Sequence, residues 1–275
     1  MDIKVAKSAG FCFGVSRAMK LAEELADSGK KVTTLGPIIH NPQAVAALEK
    51  KGVTVANSLC DCEKESTVVI RSHGVPKSVY DELKKRNLEY EDATCPFVEK
   101  IHRIVENASA KGDIILIAGD KNHPEVEGIM GFAATPVFVF ENLDELHNIL
   151  NNIPNYQKNS VTAVSQTTFD SILWKKSEKF IEKVCTNAKI FDTICDATSK
   201  RQKEAEQLSR ESDLMIVIGG RQSSNTAKLK NICQKNCRTV LCETADELDE
   251  QLIKSGNKIG ITAGASTPAV IIKSV

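Results

Sequence analysis

The chain has 275 residues, with 36 Lys and Arg against 36 Asp and Glu and a formal net charge of zero. That balance, the lack of a dense basic run and an aromatic content of only 5% exclude a nucleic-acid-binding footprint. The start, MDIKVAKSAGFCFG, lacks the apolar core of a secretory signal, and runs such as IILIAG (114–119) are far too short to cross a bilayer. A soluble, cytoplasmic protein without membrane partners is expected.

In chain order, IKVA (3–6) reads as a short strand leading to Cys12. Cys12 opens a helical pattern with Val15, Met19, Ala22 and Leu25 at three- and four-residue spacing. VTTLG (32–36) then reads as a buried strand, and PIIHNPQ (37–43) as a loop running into a helix. VVIRSHGVP (68–76) reads as a strand and loop, and LEYEDAT (88–94) as a strand ending before Cys95. A second round follows: a helix from Cys95, a strand at 114–119, the loop and helix DKNHPEVEGIMG (120–131), and VTAVSQTTF (161–169). AKIFDTI (188–194) leads to Cys195 and a third helix. LMIVIGG (214–220), GRQSSNTAKLKN (220–231), IGITAGASTP (259–268) and a short last helix complete it.

These rounds are one repeat used three times. Residues 12–36, 95–119 and 195–219 align without a gap, each opening on Cys and reaching Gly 24 residues later. Four residues past that Gly stand His40, His123 and Ser223; six past it stand Pro42, Glu125 and Asn225. His73, Thr167 and Ser266 occupy similar places in the later loop, 61, 72 and 71 residues after their Cys. The expected units are 12–94, 95–194 and 195–275. Because so little chain follows Ser266, IKVA at the N-terminus is expected to pair with the third unit, which residues 1–11 complete. The fold class is α/β. Ligands of such folds collect outside the carboxyl ends of parallel strands, and a pseudo-threefold arrangement would point the three Cys at one centre.

Cytosolic thiols stay reduced, and a free Cys is most often a small core residue. Cys12, Cys95 and Cys195 differ because the repeat holds Cys at one position while others vary. Each opens a helix, where the dipole favours a thiolate. Thiolates select zinc or iron–sulfur clusters. A closed zinc site wants a fourth ligand, usually in a CxxC pair, and none of these three has that neighbour. Three thiolates on a [4Fe–4S] cube leave one iron open for a substrate oxygen, although they also fit a three-iron core. Cys60, Cys62, Cys185, Cys233, Cys237 and Cys242 match no repeat position and read as structural or incidental.

The loops supply His40, His73, His123, Thr167, Ser223, Ser224, Asn225 and Ser266, all hydrogen-bond donors and mostly just before helices, where N–H groups bind phosphates. The ring suits a multiply charged anion. His102 and His147 lie outside it and read as ordinary surface helix residues. Glu125 is the one acid at its repeat position. It is either a dipole partner in a first helical turn or a proton donor for expelling a hydroxyl as water.

The motifs GFCFGVSRA, LGPIIHNPQ, IRSHGV, DATCPFV, GDKNHPEVEGI, SQTTF, TICDATSKRQ, GGRQSSNT and TAGASTP, in order from residue 10 to about 269, resemble the 4-hydroxy-3-methylbut-2-enyl diphosphate reductases of the methylerythritol phosphate route to isoprenoids. The resemblance implies a cloverleaf of three α/β units around a central [4Fe–4S] cluster on Cys12, Cys95 and Cys195, with one open iron. It implies reductive loss of the allylic hydroxyl, giving isopentenyl and dimethylallyl diphosphate. His40, His73, His123, Ser223, Ser224, Asn225 and Ser266 would bind the diphosphate, Glu125 would supply protons with Thr167 assisting, and a ferredoxin or flavodoxin would supply electrons. The residues alone leave two rivals: a redox-neutral iron–sulfur hydratase or dehydratase, and a non-catalytic metal-binding sensor.

Overall fold

The computed structural model describes residues 2–154, 156–157, 159–254 and 256–275. In chain order it contains β1 (Asp2–Val5), α1 (Phe13–Asp27), β2 (Val32–Leu35), α2 (Pro42–Glu49), β3 (Thr54–Ala56), β4 (Thr67–Ile70), α3 (Lys77–Lys85) and β5 (Tyr90–Asp92). Then follow α4 (Pro96–Ser109), β6 (Ile114–Ala118), α5 (Pro124–Met130), β7 (Val137–Phe140), α6 (Leu143–Asn152), β8 (Ser160–Ser165), α7 (Ser171–Val184) and β9 (Asn187–Ile190). The last are α8 (Asp196–Glu211), β10 (Leu214–Ile218), α9 (Ser224–Cys233), β11 (Arg238–Cys242), α10 (Glu250–Lys254), β12 (Lys258–Ala263) and α11 (Ala269–Ser274). Among the described residues no helix is long and apolar enough to cross a membrane.

The strands form three four-stranded sheets of one topology: β1-β12-β10-β11, β5-β4-β2-β3 and β9-β8-β6-β7. In each, the strand leading to a Cys lies at the edge. The two central strands are those whose loops carry the candidate residues. The N-terminal strand β1 pairs in parallel with β12, with Asp2 opposite Lys258 and Val5 opposite Ile261.

Two compact units divide the chain. The unit from Ile70 to Cys195 contains the parallel sheet of β6 to β9. Its central strand β6 is apolar on both faces, as a sheet covered on both sides requires. Leu116 and Ala118 face a core with Leu146 of α6 and Trp174 and Ile181 of α7. Ile115 and Ile117 face another with Ile101 and Val105 of α4 and Val126 and Ile129 of α5. Alternate residues of one strand thus serve opposite layers.

The other unit joins the chain up to Val69 with Asp196–Val275. Its β10 repeats the pattern. Leu214, Ile216 and Ile218 pack with Ile259, Ile261 and Ile271, while Met215 and Val217 pack with Ala205, Leu208 and Leu229 of α8 and α9.

His102 departs from its expected surface position. It is 4% exposed, stacks on Phe132 with ring centroids 4.2 Å apart, and burial pushes its pKa down to about 4. An ideal Cβ on Gly74 would lie 2.7 Å from its Cε1, so Gly74, at φ +72°, admits the ring against the loop that carries His73. The heptad-like spacing of α4 already places position 102 beside Ile101 and Val105; polarity alone suggested exposure, and packing overrode it.

Candidate active site

Each candidate cysteine stands immediately before a helix: Cys12 before α1, Cys95 before α4 and Cys195 before α8. All three are partly exposed and in no disulfide. Their backbones are anchored alike. Cys12 N–H donates to the Ala265 carbonyl at 3.1 Å, Cys95 N–H to Ser72 at 3.0 Å and Cys195 N–H to Thr167 at 3.1 Å. Every acceptor is in, or one residue before, the triad His73, Thr167 and Ser266. The loop bearing a candidate substrate donor therefore holds the backbone of a candidate metal ligand. Soft sulfur donors at helix N-termini fit an iron–sulfur group. Cys185, Cys233 and Cys242 are buried, and burial pushes their thiols up, Cys233 to about 12 and Cys242 to about 11. Such thiols are poor ligands.

In the 70–195 unit, His123 caps α5. Its Nδ1 accepts the Glu125 N–H at 3.1 Å, which leaves the ring proton of the neutral form on Nε2. Pro124 follows at the first helical position, where a missing N–H costs nothing. Glu125 is 2% exposed. Its Oε1 accepts from the Thr167 N–H at 2.6 Å and its Oε2 from the Thr167 hydroxyl at 2.8 Å. Burial pushes this carboxyl up to about 7, against the pull of the two Thr167 bonds. Glu125 is therefore a buried acid that exchanges a proton near neutral pH, rather than an exposed dipole partner. The ring of His73 meets that of His123 edge to face, with centroids 5.4 Å apart.

Gln166 escaped the sequence reading. It is fully buried, its Oε1 accepts the Asp120 N–H at 3.1 Å, and its Nε2 donates to Thr168 at 3.0 Å. It ties the loop after β6 to the loop after β8, and only its place beside Thr167 in SQTTF hinted at this.

In the other unit, Ser223 caps α9 by accepting the Thr226 N–H at 3.3 Å, and Ser224 is the first helical residue. Asn225 is 4% exposed, and neither its amide oxygen nor its amide nitrogen has a hydrogen-bond partner among the described residues. Leaving both atoms unsatisfied is costly unless something else meets them. Ser266 donates to the His40 carbonyl at 3.1 Å. A Cβ on Gly220 would come within 2.8 Å of that same carbonyl, so Gly220 lets the 219–225 loop close on His40. Asn41 caps α2, accepting the Ala44 N–H at 2.8 Å. Two helix N-termini, α2 and α9, thus border loops rich in neutral donors, an environment suited to phosphate.

The model of the LytB protein family matches residues 3–275. A Clostridioides difficile (strain 630) protein named 4-hydroxy-3-methylbut-2-enyl diphosphate reductase is 44% identical over 277 residues, covering all of this chain and 98% of that one. A Thermoanaerobacter sp. (strain X514) protein of the same name is 45% identical over 280 residues, covering all of this chain and 95% of its own length. Among solved structures, the E-1-hydroxy-2-methyl-but-2-enyl-4-diphosphate reductase of Plasmodium falciparum matches with a TM-score of 0.91 at 31% identity, over 99% of this chain and 86% of that one. A structure of (E)-4-hydroxy-3-methyl-but-2-enyl diphosphate reductase matches with a TM-score of 0.70 at 40% identity, over 100% and 98% of the two chains.

Proposed function

The chain belongs to the LytB protein family, and from that premise we propose that it converts (E)-4-hydroxy-3-methylbut-2-enyl diphosphate to isopentenyl and dimethylallyl diphosphate. Two electrons and two protons enter, the allylic C–O bond breaks, and water leaves. The chain is a reductase acting on a small diphosphate. The observation that carries the chemistry is Glu125, a buried carboxyl with a pKa near 7 gripped by Thr167.

In this reading Cys12, Cys95 and Cys195 hold one [4Fe–4S] cluster. When bound, that group supplies low-potential electrons and a Lewis-acidic iron without a protein ligand. The chain's own residues do the rest. Glu125 delivers a proton from its carboxyl, and the Thr167 hydroxyl bonded to it assists at the substrate's hydroxyl. His123, its Nδ1 engaged by the Glu125 N–H, keeps the proton of its neutral ring on Nε2, where it can donate to the diphosphate. Asn225 offers an amide that no partner among the described residues satisfies. In this reading it binds the diphosphate together with His40, His73, His123, Ser223, Ser224 and Ser266.

The three functional units are 12–94, 95–194 and 195–275, the last completed by 1–11. A ferredoxin or flavodoxin supplies the electrons. The reaction takes place in the cytoplasm.

Anaerobic reconstitution with iron and sulfide tests this. A brown protein should form, and with substrate and a low-potential reductant it should release both isomers. A colourless protein, or zinc at full occupancy, would overturn the reading. Turnover without reductant would do so in favour of a redox-neutral dehydratase.

A further inference from the structure

Three connections lead from an edge strand to a candidate ligand, and they differ in length. Residues 93–94 join β5 to Cys95, and 191–194 join β9 to Cys195, but 6–11 join β1 to Cys12. The longest connection has the most freedom to lose, so Cys12 needs the most external restraint.

Helix α8 supplies that restraint through a charged pair. Arg201 is 3% exposed. Its Nε donates to the Ser8 carbonyl at 2.9 Å and its Nη2 to the Gly10 carbonyl at 2.8 Å, while Nη1 reaches Ala197 one turn back at 3.2 Å. One turn on, Glu204 receives the same segment from its donor side. Its Oε1 accepts the Lys7 N–H at 2.7 Å, and its Oε2 accepts the Ser8 N–H at 2.8 Å and the Ser8 hydroxyl. Burial raises the Glu204 carboxyl, but these bonds from Ser8 and Lys7 outweigh it and hold the pKa below the usual value. Gly10, at φ +106° and against Ile272, lets the chain turn just before Cys12.

The repeat shows that this pair is a departure. At the positions matching Arg201, six residues after the Cys, the other units place buried Ala18 and Ile101; at those matching Glu204 stand Leu21 and Ile104. The third helix alone puts charge where its counterparts pack apolar side chains. Its sheet is also the one completed by the N-terminal strand.

We propose that Arg201 and Glu204 are positioning residues that clamp residues 7–10 and thereby hold Cys12 in place as a metal ligand. The inference rests on the reading of Cys12 as a cluster ligand. Supporting partners of metal ligands commonly matter roughly 10–100-fold in metal retention.

The test compares reconstituted wild type with Arg201→Met, Arg201→Lys, Glu204→Gln, Cys12→Ser and Leu214→Ala, the last a core variant of the same sheet. Iron per chain, the rate of iron release to a chelator and apo-protein melting are measured. Arg201→Met and Glu204→Gln should release iron at least about tenfold faster than wild type, and faster than Leu214→Ala at equal melting temperature, with Arg201→Lys between. Release at the wild-type rate, or no faster than Leu214→Ala, would overturn the clamp while leaving Cys12 a ligand. If Arg201→Met does not fold, Glu204→Gln decides alone. Wild type that takes up no iron, or Cys12→Ser that holds it equally well, would instead overturn the ligand reading and the clamp with it.

Discussion

Glu125 and Thr167, 42 residues apart in the chain, are joined by two hydrogen bonds, from the threonine N–H at 2.6 Å and from its hydroxyl at 2.8 Å. The threonine's carbonyl also accepts the Cys195 N–H at 3.1 Å. One residue thus grips the acid through its donors and a candidate metal ligand through its acceptor. That arrangement links proton supply to the site where electrons would arrive.

Glu125→Gln keeps the shape and can still accept from Thr167, but it has no proton to give. Turnover under anaerobic reducing conditions should fall roughly 10²–10⁴-fold, while substrate affinity by calorimetry changes by less than about threefold. Turnover near the wild-type rate would remove Glu125 from proton delivery.

Two buried groups make stability depend on pH with opposite signs. The Glu125 carboxyl is raised to about 7, so its contribution is present in full below the unfolded value near 4.5 and is lost as pH rises through 7. His102 is lowered to about 4, so its contribution is present above the unfolded value near 6.5 and is lost as pH falls towards 4. Between pH 5 and 6.5 the two slopes oppose each other in the wild type. Melting of apo Glu125→Gln should therefore rise with pH across that window, and melting of apo His102→Phe should fall. Parallel curves for both variants would contradict the assignments.

Thr167→Val removes the hydroxyl bond to Glu125 but keeps the backbone one. The lost bond favoured the ionised carboxylate, so the Glu125 pKa should rise and the alkaline limb of the pH–rate profile should move to higher pH. Thr167→Ser should restore the wild-type limb. A rate loss in Thr167→Val with no movement of the limb would assign the hydroxyl to some task other than tuning this acid.

Asn225→Leu should separate function from folding. The amide is buried without hydrogen-bond partners among the described residues, so an apolar side chain of similar size should leave the apo protein as stable or about 1 kcal/mol more stable. Diphosphate affinity should fall about tenfold or more, the loss of charge-assisted bonds worth roughly 1.5–3 kcal/mol. A clear loss of apo stability would mean that the amide serves the fold instead.

Much of this protein was legible because its signals are local and repeated. Cys12, Cys95 and Cys195 stand out through their shared register. The central strands VTTLG, IILIAG and LMIVIGG announce themselves as short runs rich in β-branched and apolar residues between turns. The strand before Cys12 was readable as the counterpart of those before Cys95 and Cys195, and it pairs with β12. The helix-start positions of His123 and Ser223 follow from ordinary capping and loop rules. Other properties arise only when distant segments meet. Glu125 titrates near neutrality because packing removes it from water and Thr167 comes to it across 42 residues. His102 reads as a polar surface residue until Phe132 and Gly74 close around it. Arg201 reads as one more helix cation until Ser8 and Gly10, more than 190 residues away, present their carbonyls. Periodicity and capping act over a few residues and can be read in one dimension. Desolvation and long-range hydrogen bonding depend on which surfaces meet, and only the folded chain decides that.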